Sequence, residues 1–246
     1  MSGLLSYSSI ALSYLPRPDG IVLSQSPDLL IASGKYAKVP FIIGNQEDEG
    51  TLFSLFQSNI STKAQLSEYL NTLFFPRAPR AKMDELIATY PETIIDGSPF
   101  RSGLLNNIYP QFKRLAAILG DLTFILTRRS FMTIANAVAP DVPSWAYMSS
   151  YDVGTPILGT FHGSDLLQVF FGILPNYAST ATRSYYLSFV NNLDPNVDSG
   201  GFMKWPRWST AKQLMNFYPL FGTVINDDFR GDTYQYVLDN AAILRI

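Results

Sequence analysis

The sequence contains no cysteine and only one histidine, His162, among its 246 residues. Without cysteine the chain can form neither a disulfide nor a thiol nucleophile, and it cannot bind zinc through thiolates. A single imidazole supplies too few nitrogen ligands for a transition-metal site made by the protein itself. We therefore expect neither a metal nor a cofactor.

Charged residues are also scarce, at 15% of the chain against about 25% in an average soluble domain. The 18 basic and 20 acidic residues give a net charge of −2, and no basic run is longer than Arg128-Arg129. Nucleic acid and anionic membranes are therefore poor candidates for partners. The aromatic fraction of 14% instead fits a large apolar core or a surface that meets an apolar substrate.

No apolar run is long enough to span a membrane. The longest covers residues 115–126, is interrupted by Asp121, and is shorter than the ~20 residues that a bilayer requires. The N-terminal residues lack the basic segment and the cleavage site of a signal peptide, so we do not expect one in this chain.

Short apolar runs alternate with helical patterns, which indicates an α/β protein of one domain. Residues 39–43 and 143–148 lack polar alternation and are predicted to be buried strands, the first fully buried in a parallel sheet, and 213–225 is predicted to be one last strand. A helix is predicted to begin near Ser164 or Asp165 as its N-cap. The other predicted helices cover 27–31, 64–73, 83–90, 111–137, 178–191 and 228–238.

Two titratable sites follow the first two predicted strands. Glu47, Asp48 and Glu49 come directly after the first strand, and His162 lies on a turn after the second. Catalytic groups collect at the carboxyl ends of parallel strands, and a carboxylate that orients an imidazole is two-thirds of a hydrolytic triad. Acid before base is also the chain order of α/β-hydrolases. The alternatives are a solvated acidic turn and a structural histidine.

Five stretches carry more specific information: YLPRPDG at 14–20, GNQEDEGT at 44–51, GSPF at 97–100, PQFKR at 110–114 and GTFHGSD at 159–165. Together, and in this order, they resemble the type-B carboxylesterase/lipase family over nearly the whole chain. The resemblance is greatest to secreted yeast and fungal triacylglycerol lipases and sterol esterases, and cholinesterases are more distant.

The resemblance implies an α/β-hydrolase fold, with a mostly parallel sheet flanked by helices and large helical insertions. It also implies hydrolysis of lipid or other esters by a Ser-Glu-His triad, with Glu49 as the acid and His162 as the base. Glu47 and Asp48 match neighbours that are not catalytic. The family further implies a secreted protein.

The chain departs from the family at the nucleophile. No serine has glycine at both the second position before it and the second after it, and the only Gly-Gly pair, at 200–201, follows His162. The chain therefore resembles the C-terminal half of a longer enzyme, with 1–246 as the C-terminal portion of one domain. We expect it to be inactive alone and to require the N-terminal half as a partner. The alternatives are a non-catalytic binding or adhesion relative and a truncated product.

Two further features are expected at or near the site. Phe161 and the helical face of Leu119, Leu122 and Phe124 resemble positions that line the acyl tunnel of fungal lipases, although such a face can be plain core. Asn59 belongs to the only Asn-x-Ser/Thr sequence and would be glycosylated in a secreted protein.

Overall fold

The computed structural model describes residues 4–11, 16–172 and 175–244. Its strands form one four-stranded sheet in chain order, with three parallel strands and a fourth that pairs antiparallel with the third. The strands are β1 Phe41–Gln46, β2 Ser144–Ser149, β3 Gln213–Phe217 and β4 Gly222–Asn226. The α-helices are α1 Pro27–Ala32, α2 Lys63–Leu73, α3 Arg80–Ala88, α4 Phe112–Gly120, α5 Leu126–Val138, α6 Ser164–Val169, α7 Tyr177–Asn192, α8 Trp208–Ala211, α9 Gly231–Asp239 and α10 Ala241–Leu244.

Strand β2 forms the centre of this sheet, and all six of its residues are buried. Trp145 and Tyr147 point to one face, where they pack in a cluster with Tyr185 of α7. Ala146 and Met148 point to the opposite face, which α5 and α8 cover. Because side chains alternate along a strand, a strand that is apolar at every position needs cover on both faces. The predicted α/β class is confirmed.

A separate helical cluster fills the long connection between β1 and β2. Helices α2, α3 and α4 contribute most of its core, and every residue of α4 is buried. Helix α2 begins with a capping box, in which Thr62 accepts a hydrogen bond from the Gln65 amide and the Gln65 side chain accepts one from the Thr62 amide. Thr62 is therefore the N-cap of this helix.

The predicted helix over 111–137 is interrupted by a π-helical segment, Asp121–Ile125, between α4 and α5. The carboxylate of Asp121 is fully buried and accepts hydrogen bonds from Arg230, at 2.8 and 3.0 Å, and from the Tyr90 hydroxyl, at 3.0 Å. The wider turn shifts the register of the side chains that follow it, as π segments do where a helix borders a site.

Three sequence predictions need correction. Residues 213–225 form two strands because Pro219 lies in the turn between them and has no amide hydrogen to continue a ladder. Strand β1 is only partly buried because it lies at the edge of the described sheet. Helix α6 is preceded by Gly163 as its N-cap, with φ +79°, and Ser164 is its first residue.

The free edge of β1 predicts that this chain, expressed alone, associates or binds a hydrophobic dye. An unpaired strand edge pairs readily with other chains, and Val39 beside it is 57% exposed. Light scattering after size-exclusion chromatography measures association. Val39→Lys should reduce it, whereas Leu220→Lys in the exposed β3–β4 turn should not. A monomeric chain with a cooperative melt and no dye binding would contradict this prediction.

Candidate active site

Glu49 lies in the turn that follows β1, and its carboxylate is bonded to the last residue of that strand. The side chain is 5% exposed, and Oε1 accepts a hydrogen bond of 2.8 Å from the backbone N–H of Gln46. The next residue, Gly50, packs against α4 so closely that a Cβ there would lie 1.9 Å from the carbonyl oxygen of Ala116. Only glycine allows this contact, which presses the acidic turn onto the helix.

His162 meets this carboxylate from a different part of the chain. The two residues are 113 positions apart, and Nδ1 of His162 lies 2.6 Å from Oε2 of Glu49. No hydrogen bond from a described residue reaches Nε2, and the side chain of His162 is 42% exposed. Glu49 and His162, which the sequence predicts to be acid and base, are thus brought together, and the imidazole is partly exposed to solvent.

The loop before His162 is fixed to the end of β1 by backbone pairing. Asp48 and Phe161 form an isolated parallel bridge, and the Asp48 amide donates a 3.0 Å hydrogen bond to the carbonyl oxygen of Thr160. Gly163, with its positive φ, then turns the chain into α6. The histidine therefore lies on a short turn between a sheet extension and a helix.

The hydrogen bond that Nδ1–H of His162 donates to Glu49 and the charge of Glu49 raise the pKa of His162, while partial burial of the ring lowers it. Asp165, in the first turn of α6, adds a further rise. The pKa of Asp165 is itself raised, first by burial and then by the charge of Glu49. The bonded carboxylate therefore stabilises the imidazolium, which is what a general base requires once it has accepted a proton.

Two phenylalanine rings flank the imidazole. The ring centroid of Phe124 lies 4.7 Å from that of His162, and the centroid of Phe53 lies 5.1 Å away. Phe124 belongs to the π-helical segment, and Phe53 lies in a short 3₁₀ turn just after the acid. The predictions from sequence missed Phe53, although its position four residues after Glu49 was the available signal.

The residues predicted to bind the acyl chain and the glycan differ in how far they are buried. Leu119 is fully buried in the helical core, so within this structure it offers no surface to a ligand. Leu122 and Phe124 are partly buried at the border of that core, and Phe161, the residue before His162, is partly exposed. Asn59 is exposed, as a glycosylation site requires. The tunnel role stays a prediction for these four apolar residues.

Within the described ranges 4–11, 16–172 and 175–244, no group of three or more carboxylate or histidine side chains is arranged to hold a metal ion. In the same ranges, none of the helices has both the length and the apolar character needed to cross a bilayer.

Comparison with known proteins identifies relatives of the chain, although no protein-family model matches it. It is 65% identical over 239 residues to the protein named secreted lipase 1 of Botryotinia fuckeliana, an alignment covering 97% of this chain and 42% of the relative. It is 58% identical over 243 residues to the secreted triacylglycerol lipase LIP1 of Gibberella zeae, covering 98% and 41%. The chain is a homologue of fungal secreted lipases. The resemblance to the type-B carboxylesterases and lipases is confirmed.

Solved structures confirm the fold. EstA of Aspergillus niger superposes with a TM-score of 0.78 at 20% identity, over 96% of this chain and 46% of that one. The carboxylesterase EST55 of Geobacillus stearothermophilus gives a TM-score of 0.66 at 20% identity, over 92% and 46%. The chain thus has part of an α/β-hydrolase fold, and it spans about two fifths of the length of the curated relatives it matches.

The raised pKa of His162 can be measured directly because the chain has no other histidine. NMR of the ¹⁵N-histidine-labelled Val39→Lys variant, in which association is reduced, should give a pKa above the ordinary 6.5, and adding Glu49→Gln should lower it. Glu85→Gln, at an exposed ion pair on α3, is the matched control and should leave it unchanged.

The same pKa predicts how stability depends on pH. Because the pKa of His162 is higher in the folded chain than in the unfolded one, its protonation stabilises the fold fully below about 6.5. This contribution is lost as pH rises through the folded-state pKa. A titration at the ordinary value, unaffected by Glu49→Gln, would refute the proposed hydrogen bond.

Proposed function

We propose that this chain carries the acid and the base of a Ser-Glu-His triad in a secreted ester hydrolase of the lipase type. The observation that carries the proposal is the 2.6 Å contact between Glu49 Oε2 and His162 Nδ1 at the carboxyl ends of parallel strands, with Nε2 open. A carboxylate on one ring nitrogen fixes the tautomer in which the other nitrogen accepts a proton.

In the proposed reaction, Nε2 of His162 accepts the proton of a serine hydroxyl while the serine oxygen attacks the ester carbonyl. The imidazolium, stabilised by Glu49, then donates that proton to the leaving alcohol, and water repeats the cycle on the acyl-enzyme. The serine and the oxyanion donors come from sequence outside this chain. The chain alone is therefore inactive, because each missing part is worth orders of magnitude in rate.

The surroundings of the base favour an apolar acyl group. Phe53 and Phe124 border the imidazole. Leu122, on the same π-helical segment as Phe124, and Phe161, the residue before His162, are both partly exposed. An apolar wall with one polar reacting group suits a fatty acyl chain whose only polar part is the ester. The names of the relatives, which are lipases, agree with a lipid ester as the substrate.

Secretion is part of the proposal, because two relatives are named secreted lipases. In a secreted protein Asn59 would be the acceptor of an N-linked glycan. Its side chain is on the surface, and its amide nitrogen donates only a 3.3 Å hydrogen bond to the Tyr7 hydroxyl among the described residues.

The triad assignment is tested in the full-length protein that contains this chain. His162→Ala and Glu49→Gln should each lower kcat for a p-nitrophenyl ester, His162→Ala by about 10⁴-fold or more, because triad members act as a unit. Glu47→Gln is the matched control, since Glu47 pairs with Arg101 and does not contact His162.

One result would refute the triad and another the enzymatic class. If His162→Ala kept a tenth of the wild-type activity, His162 would not be the general base. If the unmodified full-length protein hydrolysed no ester, short or long, the non-catalytic alternative would replace the proposal.

Substitution of Phe124 tests the acyl wall. Phe124→Ala should raise KM for a long-chain ester more than for an acetate ester, because a long chain loses the apolar surface that the acetate never reaches. Phe189→Ala, in the cluster around Trp145, is the matched control. Equal effects of Phe124→Ala on both esters would show that the residue only supports the fold.

A further inference from the structure

Asp48, next to the proposed triad, accepts three hydrogen bonds from other parts of the chain. It is 1% exposed. Its Oδ1 accepts hydrogen bonds of 2.8 Å from the Ser98 hydroxyl and 2.8 Å from the Phe100 amide. Its Oδ2 accepts one of 2.9 Å from the Thr160 amide. One side chain therefore joins three segments: the turn after β1, the loop at 98–100 and the loop that leads to His162.

Both backbone partners of Asp48 can only donate. A carboxylate accepts at both oxygens, so it satisfies the Phe100 and Thr160 amides at once. An asparagine side chain of the same shape has one oxygen and one NH₂ group. Whichever way it is turned, one backbone N–H then faces another donor, and a buried donor without a partner is costly. The site therefore requires a carboxylate and not merely a side chain of this size.

The surroundings confirm that the carboxylate is tightly fitted. Gly159 has φ +57°, and a Cβ there would lie 2.1 Å from Oδ2 of Asp48. None of the ion pairs among the described residues includes Asp48. Burial and the charge of Glu47 raise its pKa to about 6, while its three hydrogen bonds lower it. Its direct contacts are therefore hydrogen bonds from neutral donors, while the charge of Asp48 also acts on Lys113 and raises the pKa of that ammonium group against the effect of burial.

We infer that Asp48 is a positioning residue, which sets the distance between Glu49 and His162 by holding the two loops that carry them. The inference rests on the proposed triad. Asp48 is bonded to Glu49 through the chain, and its side chain binds the amide of Thr160, two residues before His162. It touches neither the imidazole nor any reacting atom, so it acts only through the geometry of the pair.

The test is kinetic and uses the full-length protein with a p-nitrophenyl ester. Asp48→Asn should lower kcat by about 10- to 100-fold, because a displacement of about 1 Å in a catalytic pair costs that much. KM should stay nearly constant, since Asp48 does not border the substrate. The acid limb of the pH–rate profile should also move to lower pH, because a looser contact with Glu49 raises the pKa of His162 less.

Two further variants separate positioning from general stability. Leu86→Ala, in the buried helical core, should lower the unfolding temperature while kcat and the acid limb stay unchanged. Ser98→Ala removes one hydrogen bond but leaves both backbone donors paired, so it should keep the fold and lower kcat by less than Asp48→Asn does. It provides a readout if Asp48→Asn does not fold.

The outcomes distinguish this inference from the triad itself. If Asp48→Asn lowers the unfolding temperature but keeps kcat and the acid limb of the wild type, the positioning role is wrong. The same holds if Asp48→Asn fails to fold and Ser98→Ala leaves kcat and the acid limb unchanged. In either case the triad still holds, provided that His162→Ala and Glu49→Gln are inactive. If those two variants are active, the triad is wrong and the positioning role falls with it.

Discussion

The parallel pairing of β1 with β2 is the interaction on which the site depends. Its register runs from Phe41 opposite Ser144 to Gln46 opposite Ser149, and the Glu47 amide extends it with a 2.9 Å hydrogen bond to Ser149. Because parallel strands end at the same edge of a sheet, the two loops that follow them start side by side. A shift of this register by one residue would turn each side chain of the strand to the opposite face and separate Glu49 from His162.

A buried ionic cluster joins helix α5 to the two outer strands of the same sheet. Arg128 of α5 donates to Asn45 of β1 at 2.7 Å and makes two bonds to Asp227, just after β4, at 2.6 and 2.7 Å. Burial would raise the pKa of Asp227, but the bonds and charges of Arg128 and Arg129 lower it. Removing one partner of such a buried pair costs about 3–5 kcal/mol, so the cluster fastens α5 across the sheet.

The site combines two kinds of contact that serve different ends. Backbone pairing and the hydrogen bonds of the buried carboxylates of Asp48 and Glu49 fix how the loops at the site lie relative to one another. Aromatic contacts from Phe53 and Phe124 surround the imidazole without bonding to its open nitrogen. The π-helical segment links the two, since Asp121 anchors it through Arg230 while Phe124 on the same turn reaches His162. Polar contacts thus set the geometry, and the aromatic contacts cover part of the imidazole, whose side chain stays 42% exposed.

Local pattern in the sequence determined the class of the fold, most helices and two candidate sites, the acids at 47–49 and His162. These follow from periodicity, caps and the ends of predicted strands, which are properties of neighbouring residues. The choice of Glu49 among the three acids came from the family resemblance. Only the tertiary structure decided that β1 lies at the edge of the described sheet, that the run 213–225 folds back at Pro219 and that Phe53 flanks the imidazole of His162. It also assigned Asp48 its three partners, which lie 50 to 112 positions away. Contacts over such distances depend on how the elements pack, and no local pattern records them.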